Sequence, residues 1–417
     1  MSIPTPTPQP DPRLAELGFA TFELPWDAID APDPVAAITE ARASLGDTFS
    51  IVSGGTTYVF VFGIIALRHF YDLPEKVASK GLADYRMLLR KLPPTLFEGR
   101  RTFAHDLFGA SDVTSYLPNV DHAINAAVHE LIQATPGSES EGHLNAFDFA
   151  RRLGHRIGIT SWFGRDAPLD ELIDLLDVLD GAEVFVHPSR MVAHQSGAEI
   201  VAMAATIRIV ENLLAKPGRE PSFLDTVATR WADAAPDEQE QGIAYDLVLL
   251  HIATMTNLFA AIGWALTLAA QHPNAVDDVD HLTFEAIRLG QRSLISREVL
   301  RPTVFDAGHI QVSLEPGMVL ATMAPVTNRD IAQGNEFVPS RWADRGLHIA
   351  VDVTTFGHGS HRCPAQRFSM QAITRTVNAM TRNFELTTAP DPIVPLSRQV
   401  GGMARPHNPI QITYRKR

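Results

Sequence analysis

Phe356-Gly357-His358-Gly359-Ser360-His361-Arg362-Cys363-Pro364-Ala365 holds the one cysteine of a 417-residue chain. A lone thiol cannot close an intramolecular disulfide, and by itself it builds neither a multi-cysteine zinc site nor an iron-sulfur cluster. A solitary cysteine is most often a buried, inert one; the flanking residues argue for more. Gly357 and Gly359 open backbone angles closed to other residues, so the loop can turn tightly and lie close to a flat ligand. Phe356, seven residues before the thiol, is placed to anchor the loop from beneath. Residues 366–384 read as a helix with Phe368, Ile373, Val377 and Met380 on one face. Its N-terminus points at Cys363, where backbone N–H groups and the helix dipole favour thiolate over thiol.

One thiolate can be the axial ligand of a haem iron, and the spacing Phe-x-x-Gly-x-His-x-Cys at 356–363 resembles the haem-binding signature of the cytochromes P450. Two further stretches follow that family's order. Glu285-Ala-Ile-Arg288 sets a carboxylate and a guanidinium one helical turn apart, and Pro339-Ser-Arg341-Trp342 comes later. Alone, such a pair usually means a solvated face. Together they resemble the Glu-x-x-Arg helix and the Pro-x-Arg-aromatic segment whose buried Glu-Arg-Arg network locks the family's fold around the haem. Asn328-Arg329-Asp330 fits the stretch between them. The resemblance covers the chain from a hairpin near residue 48 to the C-terminus. It implies a mainly α fold with minor β over a single domain, 1–417, with a long central helix over the haem and small sheets near the chain ends. The implied cofactor is haem b, iron protoporphyrin IX.

Residue roles follow from the same resemblance. Cys363 ligates the iron, while Glu285, Arg288 and Arg341 are structural. Haem propionates need cations or hydrogen-bond donors; His361 and Arg101, the latter expected on a helix near Gly99-Arg-Arg, match family positions that serve this purpose. Arg297 or Arg301 supplies another contact, and the spacing from Glu285 does not choose between them. Phe97 stands where the family's usual histidine would be. Counting from Trp264 and His272-Pro273, the family's Ala-Gly-x-Asp-Thr falls on Ala253-Thr254-Met255-Thr256-Asn257. Thr256 and Asn257 thus replace an acid-alcohol pair that helps deliver protons to oxygen, and neither titrates near neutral pH. Asn here with Trp seven residues later resembles the bile-acid hydroxylase and prostacyclin synthase branches, and plant allene oxide synthases also carry Asn. Some of these hydroxylate with oxygen; others rearrange peroxides without electrons.

Two catalytic activities therefore compete, with Thr256 and Asn257 as the candidate catalytic residues. The first is a monooxygenase that hydroxylates or epoxidises an apolar small molecule such as a terpenoid, steroid, fatty acid or polyketide. It would take electrons from a separate ferredoxin and an NAD(P)H-linked ferredoxin reductase. The second is an electron-independent isomerase or dehydratase. A haem-binding sensor or carrier without catalysis stands behind both. By resemblance the distal pocket draws on residues 85–97, 172–192, 249–261, 293–300 and 400–403, which include Met87, Leu88, Leu89, Phe97, Phe185, Met191, Leu258 and Phe259. Such a lining suits a bulky apolar substrate.

Composition narrows the partners. A net charge of -13 and a pI near 5.6 argue against a nucleic-acid or anionic-membrane binder. At 45% hydrophobic and 20% charged residues the chain can bury a large core. The Pro-rich start through residue 12 reads as an extended tail without the apolar run of a signal peptide, so the expected location is cytoplasmic. Residues 247–270 carry no formal charge and are long enough to cross a bilayer. His251, Thr254, Thr256 and Asn257 sit at the centre of that run, where lipid-facing polar groups are most costly, so it reads as a core helix. Helices are expected at 33–46, 64–72, 113–133 after a capping Asp112, 145–163, 169–186, 198–215, 222–231, 241–271 and 274–291. Strands are expected at 48–53 and 56–62 around Gly54-Gly55, within 305–324 around Pro316-Gly317, and within 393–414. Residues 80–96 read as a long irregular loop.

Overall fold

The computed structural model describes residues 9–20, 33–88, 94–97, 99–101, 107–135, 137, 140–180, 197–220, 222–343 and 353–417. Of the expected N-terminal tail, residues 1–8 lie outside this set, and Pro12–Leu14 forms a 3-10 turn that buries Leu14. Strand β1 (Gly18–Ala20) precedes helix α1 (Pro34–Leu45). The Asp33 carboxylate caps α1 by accepting from the N–H groups of Val35 and Ala36, and Gly46 at φ 92 ends it. Strands β2 (Thr48–Ser53) and β3 (Thr56–Val61) pair antiparallel across Gly54-Gly55, both at positive φ.

After α2 (Ile64–Asp72) and β4 (Ala78–Ser79), the stretch expected as a loop contains a helix. It forms α3 (Lys80–Leu88) and a 3-10 turn at Pro94–Phe97. Glu75 and Ser79 supply the missing cap: the carboxylate accepts from the N–H groups of Lys80 and Gly81, and the Ser79 hydroxyl accepts from Leu82. Orphan N–H groups are satisfied from residues outside the helix, which apolar periodicity does not register.

The helical body follows as α4 (Ala110–Ala134), β5 (Glu141–Asn145), α5 (Ala146–Trp162), α6 (Leu169–Asp180), α7 (Gly197–Ala215), α8 (Phe223–Arg230) and α9 (Pro236–Gln271). Asp112 is not the cap of α4; from the third helical position it accepts from the N–H of Gly109, so the helix starts earlier than expected. Of the helix expected over 169–186, the described part ends at Asp180. Helix α9 runs for 36 residues because Pro236 is tolerated at its first turn. At 1.5 Å per residue that is about 54 Å.

The helix expected over 274–291 is split into a 3-10 stretch, Pro273–Asp278, and α10 (Val279–Gly290), capped by Asp278 through the N–H of His281 at 3.1 Å. The chain closes with β6 (Leu294–Val299), β7 (Thr303–Asp306), β8 (Gln311–Leu314), β9 (Val319–Met323), the short α11 (Ala324–Thr327), α12 (Gln366–Asn383), β10 (Phe384–Thr388) and β11 (Gln411–Lys416). The class is mainly α with minor β, as expected. Its strands, however, gather from more of the chain than the ends. A six-stranded sheet in the order β1-β2-β3-β9-β6-β4 joins the early hairpin to β9 in parallel register, Tyr58 opposite Val319. A second sheet, β10-β11-β5, recruits the middle of the chain, and β7-β8 is a hairpin.

Helix α9 is the one described helix long and apolar enough to cross a membrane, and 72% of its most apolar window is buried within the fold. It packs most extensively on α5. Close approach there depends on Gly158, where a Cβ would fall 2.7 Å from His251 Cε1 and from the Met255 sulfur.

A buried polar relay crosses this contact. His155 Nε2 lies 3.1 Å from Asp177 Oδ1, and His155 Nδ1 lies 3.0 Å from His251 Nε2. With Asp177 accepting from His155 Nε2–H, His155 Nδ1 becomes the acceptor for His251 Nε2–H. His251 Nδ1 is then a buried lone pair with no partner among the described residues. Burial, and after it the neighbouring His155, holds the His251 pKa well below 6.5. The unfolded chain takes up this proton near pH 6.5 and the native chain does not, so the contribution is complete above that pH and is lost as the pH falls. By pH 5.5 the loss is on the order of 1 kcal/mol. Urea unfolding at pH 7.5 and 5.5 should show that gap narrowed by a similar amount in His251→Gln; an unchanged gap contradicts it.

Candidate active site

The Cys363 loop is closed by its own backbone. Cys363 N–H donates to Phe356 O at 2.7 Å, and His361 N–H donates to His358 O at 3.1 Å. Gly357 sits at φ 73, and a Cβ on it would fall 2.6 Å from His361 O, so no other residue fits this turn. Phe356 anchors the loop as expected, half-buried and edge-on to Phe284 of α10 at 6.4 Å. Helix α12 starts at Gln366, and its Phe368, Ile373, Val377 and Met380 are all buried, which fixes the loop to the core.

Burial pushes the Cys363 thiol up, and backbone hydrogen bonds from Ala365 and Gln366 oppose it without reversing it. The N–H groups at the start of α12 favour the thiolate, as expected, but do not outweigh burial. Here desolvation outweighs the N–H donors, and ionisation is left to metal binding, which requires the deprotonated sulfur.

Facing the site, α9 breaks its own burial pattern. Tyr245 and Leu249 are half-buried, and Ala253 and Asn257 are exposed, while Ile252, Thr254, Met255 and Leu258 are buried. Residues four apart share a helix face, so these four form a single accessible stripe on a largely buried helix. Asn257 Oδ1 accepts from Met403 N–H at 2.9 Å. Its acceptor is thereby committed, and its Nδ2 is the group left to donate. Thr256 is half-buried and donates to Ile252 O at 3.3 Å, within its own helix. Leu258 and Phe259, expected in the pocket lining, are buried instead; Phe259 packs on Gly154 and His155 of α5. Phe97 meets Tyr85 edge-on at 5.3 Å. Leu89, Phe185 and Met191 lie outside the described residues, as do the side chains of Met87 and Leu88.

The expected anion-binding residues divide into two places. Arg297 is fully buried, with Nε donating to Ala78 O at 2.9 Å and Nη2 reaching Glu75 Oε1 at 3.1 Å. His361 Nε2 meets the same Glu75 Oε1 at 2.8 Å. The structure thus joins Arg297 to the cysteine loop, whereas Arg301 is exposed and engages through its backbone N–H with Val77 O. Burial lowers both the Arg297 and the His361 pKa. Arg101 lies apart from them; it is not on a helix among the described residues, donates from Nε to Leu96 O at 2.6 Å, and stacks 5.4 Å over the Tyr245 ring of α9.

Glu285, Arg288 and Arg341 form one buried network. Arg288 binds the Glu285 carboxylate with two bonds, Nε to Oε2 at 2.9 Å and Nη2 to Oε1 at 2.8 Å. Arg341 Nε, Trp342 Nε1–H and Val338 N–H complete the shell at 3.0, 2.8 and 2.9 Å. The remaining guanidinium donors reach backbone carbonyls, among them Asn328 O and Gly334 O from Arg288 and Ala332 O from Arg341. Asn328 fastens the segment that leads into the cysteine loop, with Nδ2 donating to Thr354 O at 2.9 Å and Oδ1 accepting from Thr354 N–H at 2.6 Å.

A haem fits the residues present. Arg297 is buried with an Nη1 that has no hydrogen-bond partner among the described residues, a donor suited to a carboxylate. Cys363, Phe356, Phe97, Tyr245 and Leu249 are all partly buried at the edge of one hydrophobic core cluster.

No protein-family model matches the chain. The cytochrome P450 monooxygenase pyvB of Aspergillus violaceofuscus is 21% identical over 391 residues, covering 85% of this chain and 79% of the relative. The putative cytochrome P450 141 of Mycobacterium tuberculosis is 28% identical over 207 residues, 47% of this chain and 49% of the relative. Among solved structures, retinoic acid-bound cyanobacterial CYP120A1 superposes with a TM-score of 0.75 at 16% identity, over 96% of this chain and 99% of that one. CYP175A1 from Thermus thermophilus gives 0.68 at 18% identity, over 92% and 95%. Sequence and fold lead to the same group of proteins: the chain is similar to cytochromes P450 and has the cytochrome P450 fold.

Proposed function

We propose that the protein is a single-domain, cytoplasmic haem-thiolate monooxygenase that hydroxylates or epoxidises an apolar small molecule with O2. Its electrons come from a separate ferredoxin and an NAD(P)H-linked ferredoxin reductase. Cys363 would hold haem b through its sulfur, and Arg297, His361 and Arg101 through its carboxylates. Haem held in this way supplies oxygen activation and one-electron chemistry. The protein's own part is to bind, orient and exclude water. Leu249 and Ala253 give the α9 wall an apolar surface for a terpenoid, steroid, fatty acid or polyketide. CYP120A1, solved with retinoic acid, supports an apolar ligand class.

Asn257 is the observation that carries the reading. It is exposed in the middle of a buried helix, and Met403 N–H fixes its carbonyl, so its amide N–H is a held, accessible donor. Such a donor positions a water or a substrate oxygen, which does part of the work of the absent acid-alcohol pair. Asn257→Asp keeps the acceptor for Met403 and loses the donor; Asn257→Ala loses both. Both variants should lower product formed per reduced cofactor by roughly tenfold, the value of one good hydrogen bond, with the missing electrons recovered as hydrogen peroxide. Substrate turnover with and without NAD(P)H and redox partners is the measurement. Full turnover without electron source or added peroxide would instead establish the electron-independent isomerase or dehydratase.

A further inference from the structure

Glu75 belongs to none of the motifs quoted for the family resemblance, yet its carboxylate joins Arg297 to His361 of the cysteine loop. Oε1 meets Arg297 Nη2 at 3.1 Å and His361 Nε2 at 2.8 Å. The same carboxylate accepts from Ser79 Oγ at 2.8 Å and from the N–H groups of Lys80 and Gly81, both at 3.1 Å. It is held from one side by the N-terminus of α3, and from the other it holds β6 and the loop. Arg297 is fixed further by Ala78 O and Leu73 O, which leaves Nη1 as its one nitrogen without a partner among the described residues.

We propose that Glu75 is a positioning residue for a carboxylate-binding clamp, orienting Arg297 and His361 so that Arg297 Nη1 meets a propionate of the bound tetrapyrrole. The proposal rests on the haem-binding reading of the site. A buried guanidinium with Nε and Nη2 engaged and Nη1 open is pre-organised: its rotamer entropy has been lost in folding, so capturing the anion costs less. Glu75 brings a negative charge near the incoming carboxylate. That charge is already shared among five donors, so its orienting effect outweighs its repulsion.

The test separates positioning from mere support of the fold. Apoprotein is titrated with haem and with haem dimethyl ester, whose propionates are esterified, and dissociation constants are read from the absorption of the bound group. Glu75→Gln should weaken haem about tenfold, the lower end of what an orienting partner is worth at a metal site. The ester should bind wild type and variant alike. Equal weakening of haem and ester would show a structural role only and overturn the proposal, as would unchanged or tighter haem binding in the variant. Should Glu75→Gln not fold, Ser79→Ala removes one support from the carboxylate while leaving its charge; a roughly two- to threefold loss for haem and none for the ester is then expected, and equal behaviour of the two ligands overturns the proposal. Wild-type protein that binds neither ligand would overturn the haem-binding reading itself, and the clamp with it.

Discussion

Glu285→Ala should lose about 3–5 kcal/mol of stability, because it strands two guanidinium groups inside the protein. Arg288 is wholly buried and Arg341 nearly so, and each would face the interior with part of its charge unmatched. Trp342 Nε1–H and Val338 N–H would lose their acceptor at the same time. Set against a total of about 5–15 kcal/mol for a typical domain, that loss leaves a marginal protein. Urea unfolding of the soluble fraction reads the effect, with haem content after reconstitution as a second readout. Glu285→Gln keeps the shape and one acceptor and should fall between wild type and Glu285→Ala. Unchanged unfolding and full haem content in Glu285→Ala would mean that these charges do not hold the fold.

The same carboxylate also has a pH signature. Burial works to raise its pKa, but the Arg288 hydrogen bonds and charge, with Val338 and Trp342, prevail and hold it below 4.5. A depressed carboxylate stabilises the native state above its unfolded value and loses that contribution as the pH falls through the folded one. This loss therefore begins near pH 4.5, below the window in which His251 acts.

How much of this is legible in the sequence depends on where the cause of each feature lies. The hairpin at Gly54-Gly55, α1 between Asp33 and Gly46, and α12 behind Cys363 are readable because caps, glycines and apolar faces are local signals. The Glu285 network is readable through resemblance alone, since an i,i+3 pair by itself does not say that it is buried. Helix α3 escapes the sequence reading because its N–H groups are satisfied by Glu75 and Ser79, residues that precede the helix and carry no periodicity. That Arg297 rather than Arg301 reaches the cysteine loop cannot come from spacing; it follows from β6 lying against β4, with Glu75 between the arginine and the loop. Leu258 and Phe259 read as pocket residues because they are apolar and sit near Asn257. Helix α9 turns them into the packed interior, Phe259 toward α5, and sequence proximity does not reveal which face of a helix buried nearly all round stays accessible. Glu75 itself gives no signal: a carboxylate in a loop looks like a solvated surface charge until the fold brings Arg297 and His361 to it.

The thiol at Cys363 carries the largest functional expectation. There is no second cysteine to substitute for it, the loop that presents it tolerates no side chain at Gly357, and α12 fixes it to the core. Cys363→Ala removes the sulfur with little change in bulk, and Cys363→His offers nitrogen in its place. The fold should survive both, since the residue is only partly buried. Monooxygenase turnover should fall to background, because the oxygen chemistry that a bound haem would supply depends on a thiolate ligand. The most direct measurement is the absorption spectrum of the reduced, carbon-monoxide-bound protein, wild type beside Cys363→His. Wild type should show the band characteristic of thiolate-ligated haem and the variant should lose it while keeping haem; a thiolate-type band that persists in the variant, or is absent from the wild type, would contradict the assignment.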